Sequence, residues 1–284
     1  MCGNRFGKKR RPEENAERMS YADFRLETVV ETIPNPLRRI VRFAFEWIPI
    51  AIVAGLWELA SGTAVSSEIL PPPSAVFAVS WELLVSGRIL PHLQVSLYRI
   101  GVGLGLSIVV GVALGVGMAR VKPIENFFEV FLALIYPVPK AALVPLAILW
   151  LGVGTETAIL IVFLACLLPI VLNSYNAAQN VDRNLLWSAR MMGMPAWKLP
   201  IKVVVPATIP SILTGIRQAI PIAFIALVSA ELIASNRGVG FEILRHGQIG
   251  NYTSMFAVLV VISGTAFVAV RGYEWLERRV VTWT

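Results

Sequence analysis

The longest apolar run of this chain, residues 100–119, contains twenty residues and no charged side chain. A helix rises about 1.5 Å per residue, so a run of this length can cross a hydrocarbon core of about 30 Å. Of the 284 residues, 56% are hydrophobic and only 15% are charged, and the mean hydropathy is +0.68. These features predict an integral membrane protein.

Helices are favoured over a transmembrane barrel because the apolar runs are continuous, whereas barrel strands alternate in segments of about ten residues. We therefore predict an all-α integral membrane protein, in which a six-span domain at residues 43–280 follows a basic cytoplasmic segment at residues 1–42. The third span is broken at Pro137 and Pro139, so a kinked or tilted helix is expected there. The six transmembrane helices are placed at about residues 43–60, 97–119, 127–151, 155–174, 209–234 and 253–272.

The distribution of Lys and Arg sets the predicted orientation, because these residues accumulate in cytoplasmic loops. With the N-terminus inside, 19 of the 25 basic residues fall in cytoplasmic segments and three in outside loops. Both termini are therefore predicted to be cytoplasmic. The net charge of +7 could also indicate a nucleic-acid partner. Ten of the basic residues directly precede the first span and are interleaved with six acids, which favours contact with anionic lipid headgroups.

The sequence offers little for catalysis. Cys2 and Cys166 form no disulfide or metal-binding pattern, and His92 and His246 stand alone in predicted outside loops. The nearest match to a phosphate-binding loop, GNRFGKK at residues 3–9, has one residue too few between its glycines and a lysine where the hydroxyl is required. We therefore predict that the chain is not an enzyme, and that it binds no metal or cofactor and does not hydrolyse ATP itself.

A short amphipathic, basic segment at residues 182–206 lies between the fourth and fifth spans. Asp182 is predicted to cap a helix whose apolar stripe consists of Leu185, Ala189 and Met192, at i, i+4 and i+7. Gly193 then permits a turn that residues with a Cβ resist.

A second short helix is predicted to follow this turn. Pro195 suits its first turn, and Trp197 and Lys198 lie on it. Pro206 and Pro210 mark the start of the fifth span. The segment is thus predicted to lie parallel to the membrane on its cytoplasmic side.

The segment resembles a cytoplasmic loop of the inner-membrane permeases of binding-protein-dependent ABC importers, in the nitrate, taurine and aliphatic sulfonate branch. The pattern of that loop is E-A-A-x(3)-G-x(9)-I-x-L-P, and its matching positions here hold Ser188, Ala189, Gly193, Val203, Val205 and Pro206. Three further stretches resemble the same branch, namely ILPPPSA at residues 69–75, PVPKAALVPLAILWLG at 137–152 and PSILTGIR at 210–217. Together they cover about residues 65–280. Two positions depart from the pattern, with Trp187 in place of the glutamate and Pro200 inside the second short helix.

This resemblance implies a MetI-like permease in the bacterial cytoplasmic (inner) membrane. Two copies of the chain, or one copy with a homologue, would enclose the pathway, and a homodimer is the default expectation. It also implies a separate ABC ATPase subunit, which would bind ATP and Mg, and a periplasmic or lipid-anchored substrate-binding protein. The solute would be a sulfonate, taurine or nitrate, with bicarbonate, a pyrimidine or thiamine precursor or another small solute as alternatives. The residues expected to couple the permease to the ATPase are Ser188, Ala189, Arg190, Gly193, Pro195, Trp197 and Pro206.

Polar groups at membrane depth are candidates for the translocation path, because they are costly in lipid and tend to face a cavity or another helix. They could equally bond to neighbouring helices. The candidates, together with the residues of the proline break, are Tyr136, Pro137, Pro139, Asn173, Ser174, Gln218, Ser229 and Glu231, and Arg217 lies beside them. Lys140, just after the break, is expected to extend toward the interface, with an anion contact as the alternative.

Glycines of the second span predict close helix packing. The pairs Gly101–Gly105 and Gly111–Gly115 have GxxxG spacing, which suits helix contacts better than solute contacts.

Two other functional classes fit the sequence less well. An ion-coupled carrier or channel would explain intramembrane charge but not the amphipathic segment at 182–206. An intramembrane enzyme would require His, Asp or Glu clustered at membrane depth, which the sequence does not indicate.

Overall fold

A computed structural model describes the backbone of residues 35–280 and the side chains of residues 48–279. Most of the predicted N-terminal segment 1–42 therefore lies outside the described residues, as does Cys2. Helix α1, Asn35–Ala60, contains 26 residues and is about 39 Å long at 1.5 Å per residue. It belongs to a separate unit, residues 1–59, and it begins eight residues before the predicted first span.

The second unit, from residue 60 onward, is built from helices. After an isolated bridge between Ser61 and Val65, the α-helices are α2 Pro73–Val85, α3 Leu90–Arg120, α4 Lys122–Ile135, α5 Val144–Leu151, α6 Thr155–Gln179, α7 Arg183–Met191, α8 Val205–Ala234, α9 Val239–Gln248 and α10 Tyr252–Val280. Short 3₁₀ turns at Lys140–Leu143 and Ala196–Lys198 precede α5 and follow α7, and a π-helical turn, Pro200–Val204, leads into α8.

Four of these helical segments are long and apolar enough to span a membrane: α3, α6, the continuous stretch Ala196–Ala234 that contains α8, and α10. The bent pair formed by α4 and residues 140–151 gives a fifth. The remaining predicted span, residues 43–60, falls in α1, of which the side chains are described from residue 48 onward. Helix α2 is an additional apolar helix that the sequence analysis did not predict.

Helices α3 and α6 pack side by side in the same direction. Small residues spaced four apart on α3 face α6, namely Gly103, Ser107, Gly111 and Gly115, and a Cβ on any of the three glycines would lie within 3 Å of α6. Ser107 Oγ donates to the Phe163 carbonyl at 2.9 Å. The contacts advance together along both chains, from Val162 beside Gly103 to Ser174 beside Gly115. The helices are therefore parallel, and the chain must cross the membrane once between them.

The predicted glycine packing is confirmed for one pair and wrong for the other. Gly111 and Gly115 lie in the α3–α6 contact, but a Cβ on Gly101 or Gly105 would have no atom within 4 Å. The contacting face instead includes Gly103 and Ser107. Together with Gly111 and Gly115 they form one continuous stripe of small residues, because residues four apart lie on the same face of a helix.

Helix α8 runs antiparallel to α6 and completes the core. Gly215 of α8 fits against Asn173 near the end of α6, and the Gly154 amide at the start of α6 donates to the Ala234 carbonyl at 3.0 Å. The buried apolar core lies mainly on these two helices, with Ile161, Ile170 and Leu227 fully enclosed. We call the end where α3 and α6 begin the α9 end, and the opposite end the α7 end.

The third predicted span is a broken helix, since α4 and residues 140–151 meet at an angle of 92°. The prolines of the break leave carbonyls of α4 without their helical partners. Lys140 Nζ donates to the carbonyls of Ile135 at 2.8 Å, Tyr136 at 3.2 Å and Val138 at 2.9 Å. The Lys140 ammonium group therefore caps the end of α4, and its extension toward the interface stays a prediction.

The α3–α6 contact predicts a position-specific effect of adding one methyl group. Gly115→Ala would place its Cβ 2.6 Å from the Val171 carbonyl oxygen and 2.7 Å from Ser174 Cβ. We expect destabilisation by about 1–3 kcal/mol, measured as a lower midpoint of thermal unfolding of the purified protein in detergent. Gly105→Ala is the matched control and should be neutral or slightly stabilising. Equal midpoints for both variants would contradict the packing described here.

Candidate functional site

The α7 end carries the segment that the sequence analysis singled out. Asp182 caps α7 as predicted, because its Oδ1 accepts from the Asn184 amide at 2.8 Å. The predicted apolar stripe is wrong, since Leu185 is 47% and Met192 87% exposed. The packed face instead carries Ala189, which is buried, and Leu186, which lies against a cluster at the ends of α3 and α6. Met192 falls outside the stripe because α7 already ends at Met191.

Gly193 provides the predicted turn after α7. Its φ of +81° lies in the left-handed region that glycine adopts without strain. The Met194 amide donates back to the Ala189 carbonyl at 3.1 Å, and the Gly193 amide donates to the Arg190 carbonyl at 2.9 Å. This pair of bonds is a Schellman motif, which satisfies the last carbonyls of a helix and reverses the chain.

The chain then leads into α8 without a loop. Pro195 caps the 3₁₀ turn Ala196–Lys198, so the predicted second helix is a single turn. Pro200 does not interrupt it but begins the π-helical turn Pro200–Val204, from which α8 continues through Pro206 and Pro210. Pro200 and Pro206 are tolerated because each lies at the first or second position of its helical segment, where the amides have no helical acceptor, whereas Pro210 lies inside α8.

Large apolar side chains project from this segment. Met191 and Met192 are 89% and 87% exposed, and Trp197 is 68% exposed. Trp187 and Ile201 are also exposed, and the Lys198 ammonium lies 4.9 Å from the centroid of the Trp197 ring. We call Trp187, Met191, Met192, Trp197 and Ile201 the apolar foot. A concentration of exposed apolar side chains rimmed by basic residues is typical of a protein-binding surface.

The structure separates the predicted path residues into two groups. Tyr136, Pro137, Pro139 and Gln218 are exposed, and Asn173 and Ser229 are half-buried. Asn173 Nδ2 donates to Gln218 Oε1 at 3.1 Å, which joins α6 to α8. Neighbouring Arg217 pairs with Glu277 of α10 at 3.6 Å.

The second group, Ser174 and Glu231, is fully buried. Ser174 lies in the α3–α6 contact beside Gly115. Neither side chain lines an open path in this structure, because neighbouring helices enclose both.

Glu231 belongs to a buried ionic network at the α9 end. Arg99 Nη1 lies 2.8 Å from Glu231 Oε1, and these side chains are 3% and 0% exposed. Ser96 Oγ donates to the same carboxylate at 2.8 Å, and the Gly240 amide donates to it at 2.9 Å. Arg99 also donates from Nε and Nη2 to Thr155 Oγ1, at 3.3 and 3.1 Å. The network ties α3, α6, α8 and the start of α9 together.

Arg99 lies near the start of the second predicted span, and the sequence alone does not indicate its partner. The presence of one Arg and one Glu in two apolar runs could have indicated this ion pair, since intramembrane charges usually pair. The network also explains why positions 238 and 240 hold glycine, because a Cβ at either position would collide with Glu231.

A second charged cluster surrounds Glu242 of α9. His92 Nε2 lies 3.3 Å and His246 Nε2 3.5 Å from its carboxylate, and Arg245 Nη2 lies 2.5 Å away. The prediction that both histidines stand alone in loops was wrong, because they lie on α3 and α9 and face one carboxylate. Burial, assisted by the nearby charge of Arg245, lowers the pKa of His246.

Residues 107–282 match the family described as "Binding-protein-dependent transport system inner membrane component". The chain belongs to this family. The predicted family membership and the predicted all-α, multi-pass membrane fold are thereby confirmed.

Two relatives and one solved structure illustrate the match. SsuC of Bacillus subtilis (strain 168), named as an aliphatic sulfonates transport permease, is 32% identical over 82% of this chain and 85% of its own length. The taurine transport system permease TauC of Escherichia coli (strain K12) is 28% identical over 87% and 92%. A chain from inward-facing structures of the MetNI methionine ABC transporter aligns with a TM-score of 0.60 at 18% identity, covering 68% of this chain and 96% of that one. The last likeness shows the MetI-like fold.

The buried pair predicts a large loss of stability when one partner is neutralised. Glu231→Gln would leave the Arg99 guanidinium buried without its counter-charge, which costs about 3–5 kcal/mol. We expect a strongly lowered thermal midpoint in detergent. The control is Glu82→Gln, which breaks the pair with Arg88 whose side chains are 62% and 63% exposed, and it should change stability by less than about 1 kcal/mol. Similar midpoints for the two variants would disprove a stabilising role of the network.

Proposed function

We propose that this chain is the membrane-spanning subunit of an ATP-driven importer, which moves a small solute delivered by a binding protein across the cytoplasmic membrane. The observation that best supports this proposal is the segment Asp182–Pro206, in which a glycine-capped helix and the apolar foot are continuous with a spanning helix. A separate ABC ATPase would receive the apolar foot, so the α7 end would be cytoplasmic. ATP and Mg would be bound by that partner.

The residues of the segment have distinct proposed roles. Ser188 and Arg190 are exposed on α7 and would contact the ATPase, together with Trp197 of the foot. Ala189 packs inward, Gly193 forms the turn, and Pro195 and Pro206 shape the link to α8. Trp187, which stands where the family pattern has glutamate, is 60% exposed and would add apolar contact area.

The path for the solute is proposed to lie between two copies of this chain. Polar groups of the second unit that are exposed or half-buried would face this path. Tyr136, Pro137 and Pro139 lie at the break after α4, Asn173 lies on α6, and Gln218 and Ser229 lie on α8. One chain would supply only one wall of such a path, so a second copy or a homologue is required, and a homodimer is the default proposal. An aliphatic sulfonate, taurine or nitrate is the proposed solute, since two relatives are named for the first two.

Assembly tests this proposal directly. The permease should copurify with an ABC ATPase, and ATP hydrolysis by the complex should rise when a solute-loaded binding protein is added. Copurification without any response of hydrolysis to the loaded binding protein would contradict the importer role.

The turn at Gly193 predicts a variant that inserts normally but does not transport. Valine at a φ of +81° is strained by about 1–3 kcal/mol, although a Cβ there would touch no other atom within 4 Å. We expect Gly193→Val to reach normal levels in the membrane and to lose solute uptake, because the foot is turned away from its partner. Gly250→Val is the matched control, since Gly250 has a φ of +73°, has equally open surroundings and lies at the α9 end. Normal uptake by Gly193→Val would refute the coupling role.

A further inference from the structure

A cavity of about 680 Å³ lies at the α9 end, next to the buried ionic network. It is formed by the first turns of α3, the start of α6 and the loop between α8 and α9. The polar side chains that line it are His92, Gln94, Tyr98, Thr155 and Arg237. No Asp or Glu of the described part of the chain is among the lining residues.

Arg237 is the permanent charge of this cavity. Its backbone is held in place, because its carbonyl accepts from Arg99 Nη1 at 2.8 Å and its amide donates to Ser235 Oγ at 3.3 Å. Its side chain is exposed and forms no ion pair with any residue between 48 and 279. The buried charge of Arg99 is already compensated by Glu231. Arg237 therefore presents an uncompensated guanidinium group on a fixed loop.

The neighbouring groups add hydrogen-bond donors. Thr155 Oγ1 accepts from both Arg99 Nε and Nη2, so its own hydroxyl proton remains available to donate. Tyr98, which is 61% exposed, and Gln94 contribute a phenol and an amide at the same surface. His92 is committed elsewhere, since its Nδ1 accepts from the Gly238 amide and its Nε2 faces Glu242.

We propose that this cavity is an anion-binding vestibule, in which Arg237 binds the sulfonate group of the solute before translocation. The proposal rests on the proposed function and deepens it by assigning a residue to the charge of the solute. A guanidinium fork matches the oxygen geometry of an oxyanion, and no carboxylate in the lining competes for it. The cavity is much larger than a sulfonate group, so water remains around the solute and binding is weak enough to permit release.

Uptake by the complete transporter provides the first test. Permease, ATPase and binding protein are reconstituted in liposomes, and uptake of radiolabelled ethanesulfonate is measured at limiting concentration. Arg237→Gln should lower the uptake rate about tenfold, the loss expected for one charge-assisted hydrogen bond, and Arg237→Lys should restore part of it. Arg245→Gln is the matched control, because Arg245 lies at the same end but pairs with Glu242. Unchanged uptake in Arg237→Gln, or an equal loss in Arg245→Gln, would overturn the assignment.

Site protection provides a second test that needs no transport. Tyr98→Cys is prepared in a Cys2→Ser background, in which the remaining Cys166 is fully buried. Ethanesulfonate should slow modification of this cysteine by a neutral, membrane-impermeant maleimide, whereas the uncharged analogue ethyl methyl sulfone should not. Adding Arg237→Gln should remove the protection. Absence of protection, or protection that survives Arg237→Gln, would overturn the vestibule.

The two tests separate failure of the vestibule from failure of the proposed function. If the wild-type transporter imports no sulfonate, the proposed solute is wrong, and protection alone then decides whether Arg237 binds the anion. If the wild type imports ethanesulfonate and Arg237→Gln behaves identically in both assays, only the vestibule is wrong.

Discussion

The close parallel contact between α3 and α6 determines the arrangement of the other helices. Lipid provides no hydrophobic drive for helices to associate, so van der Waals contact through small residues is a main source of affinity between them. Parallel neighbours cannot be joined by a short loop, and the chain returns through α4 and the bent segment 140–151. The contact also aligns polar groups at both ends. Arg99 reaches Thr155 at the α9 end, and Arg120 Nη2 donates to the Ala178 carbonyl at 2.6 Å at the α7 end.

A second constraint is that polar groups inside a membrane protein need partners. The break after α4 frees carbonyls, and the Lys140 ammonium binds three of them. Glu231 illustrates the same rule for a charge, since Arg99, Ser96 and the Gly240 amide occupy its two oxygens. Lys140 and Glu231 could each be taken for a solute contact, but both use their hydrogen-bonding groups to bind other parts of the protein. Arg237 is different because its guanidinium has no such partner within the described residues.

Much of the fold followed from the sequence, because hydropathy and glycine conformation are local properties. The apolar runs predicted the spanning helices, and the Asp182 cap and the Gly193 turn were correct in atomic detail. The partners of Arg99, Lys140 and the two histidines could not be predicted, since they depend on which helices become neighbours. The apolar stripe of α7 was wrong for the same reason. Leu186 contacts a surface made by three other segments, and the helical period alone did not reveal it.

Movement of the apolar foot would reach the membrane through more than one helix. Leu186 of α7 packs near Val116 of α3, Ala178 of α6 and Val204, which directly precedes α8. At the α9 end the Arg99–Glu231 network joins the same three helices. Helices fastened at both ends and packed through glycines along their length resist sliding past one another. A push on the foot would therefore tilt α3, α6 and α8 together as one rigid body and displace the loop that carries Arg237.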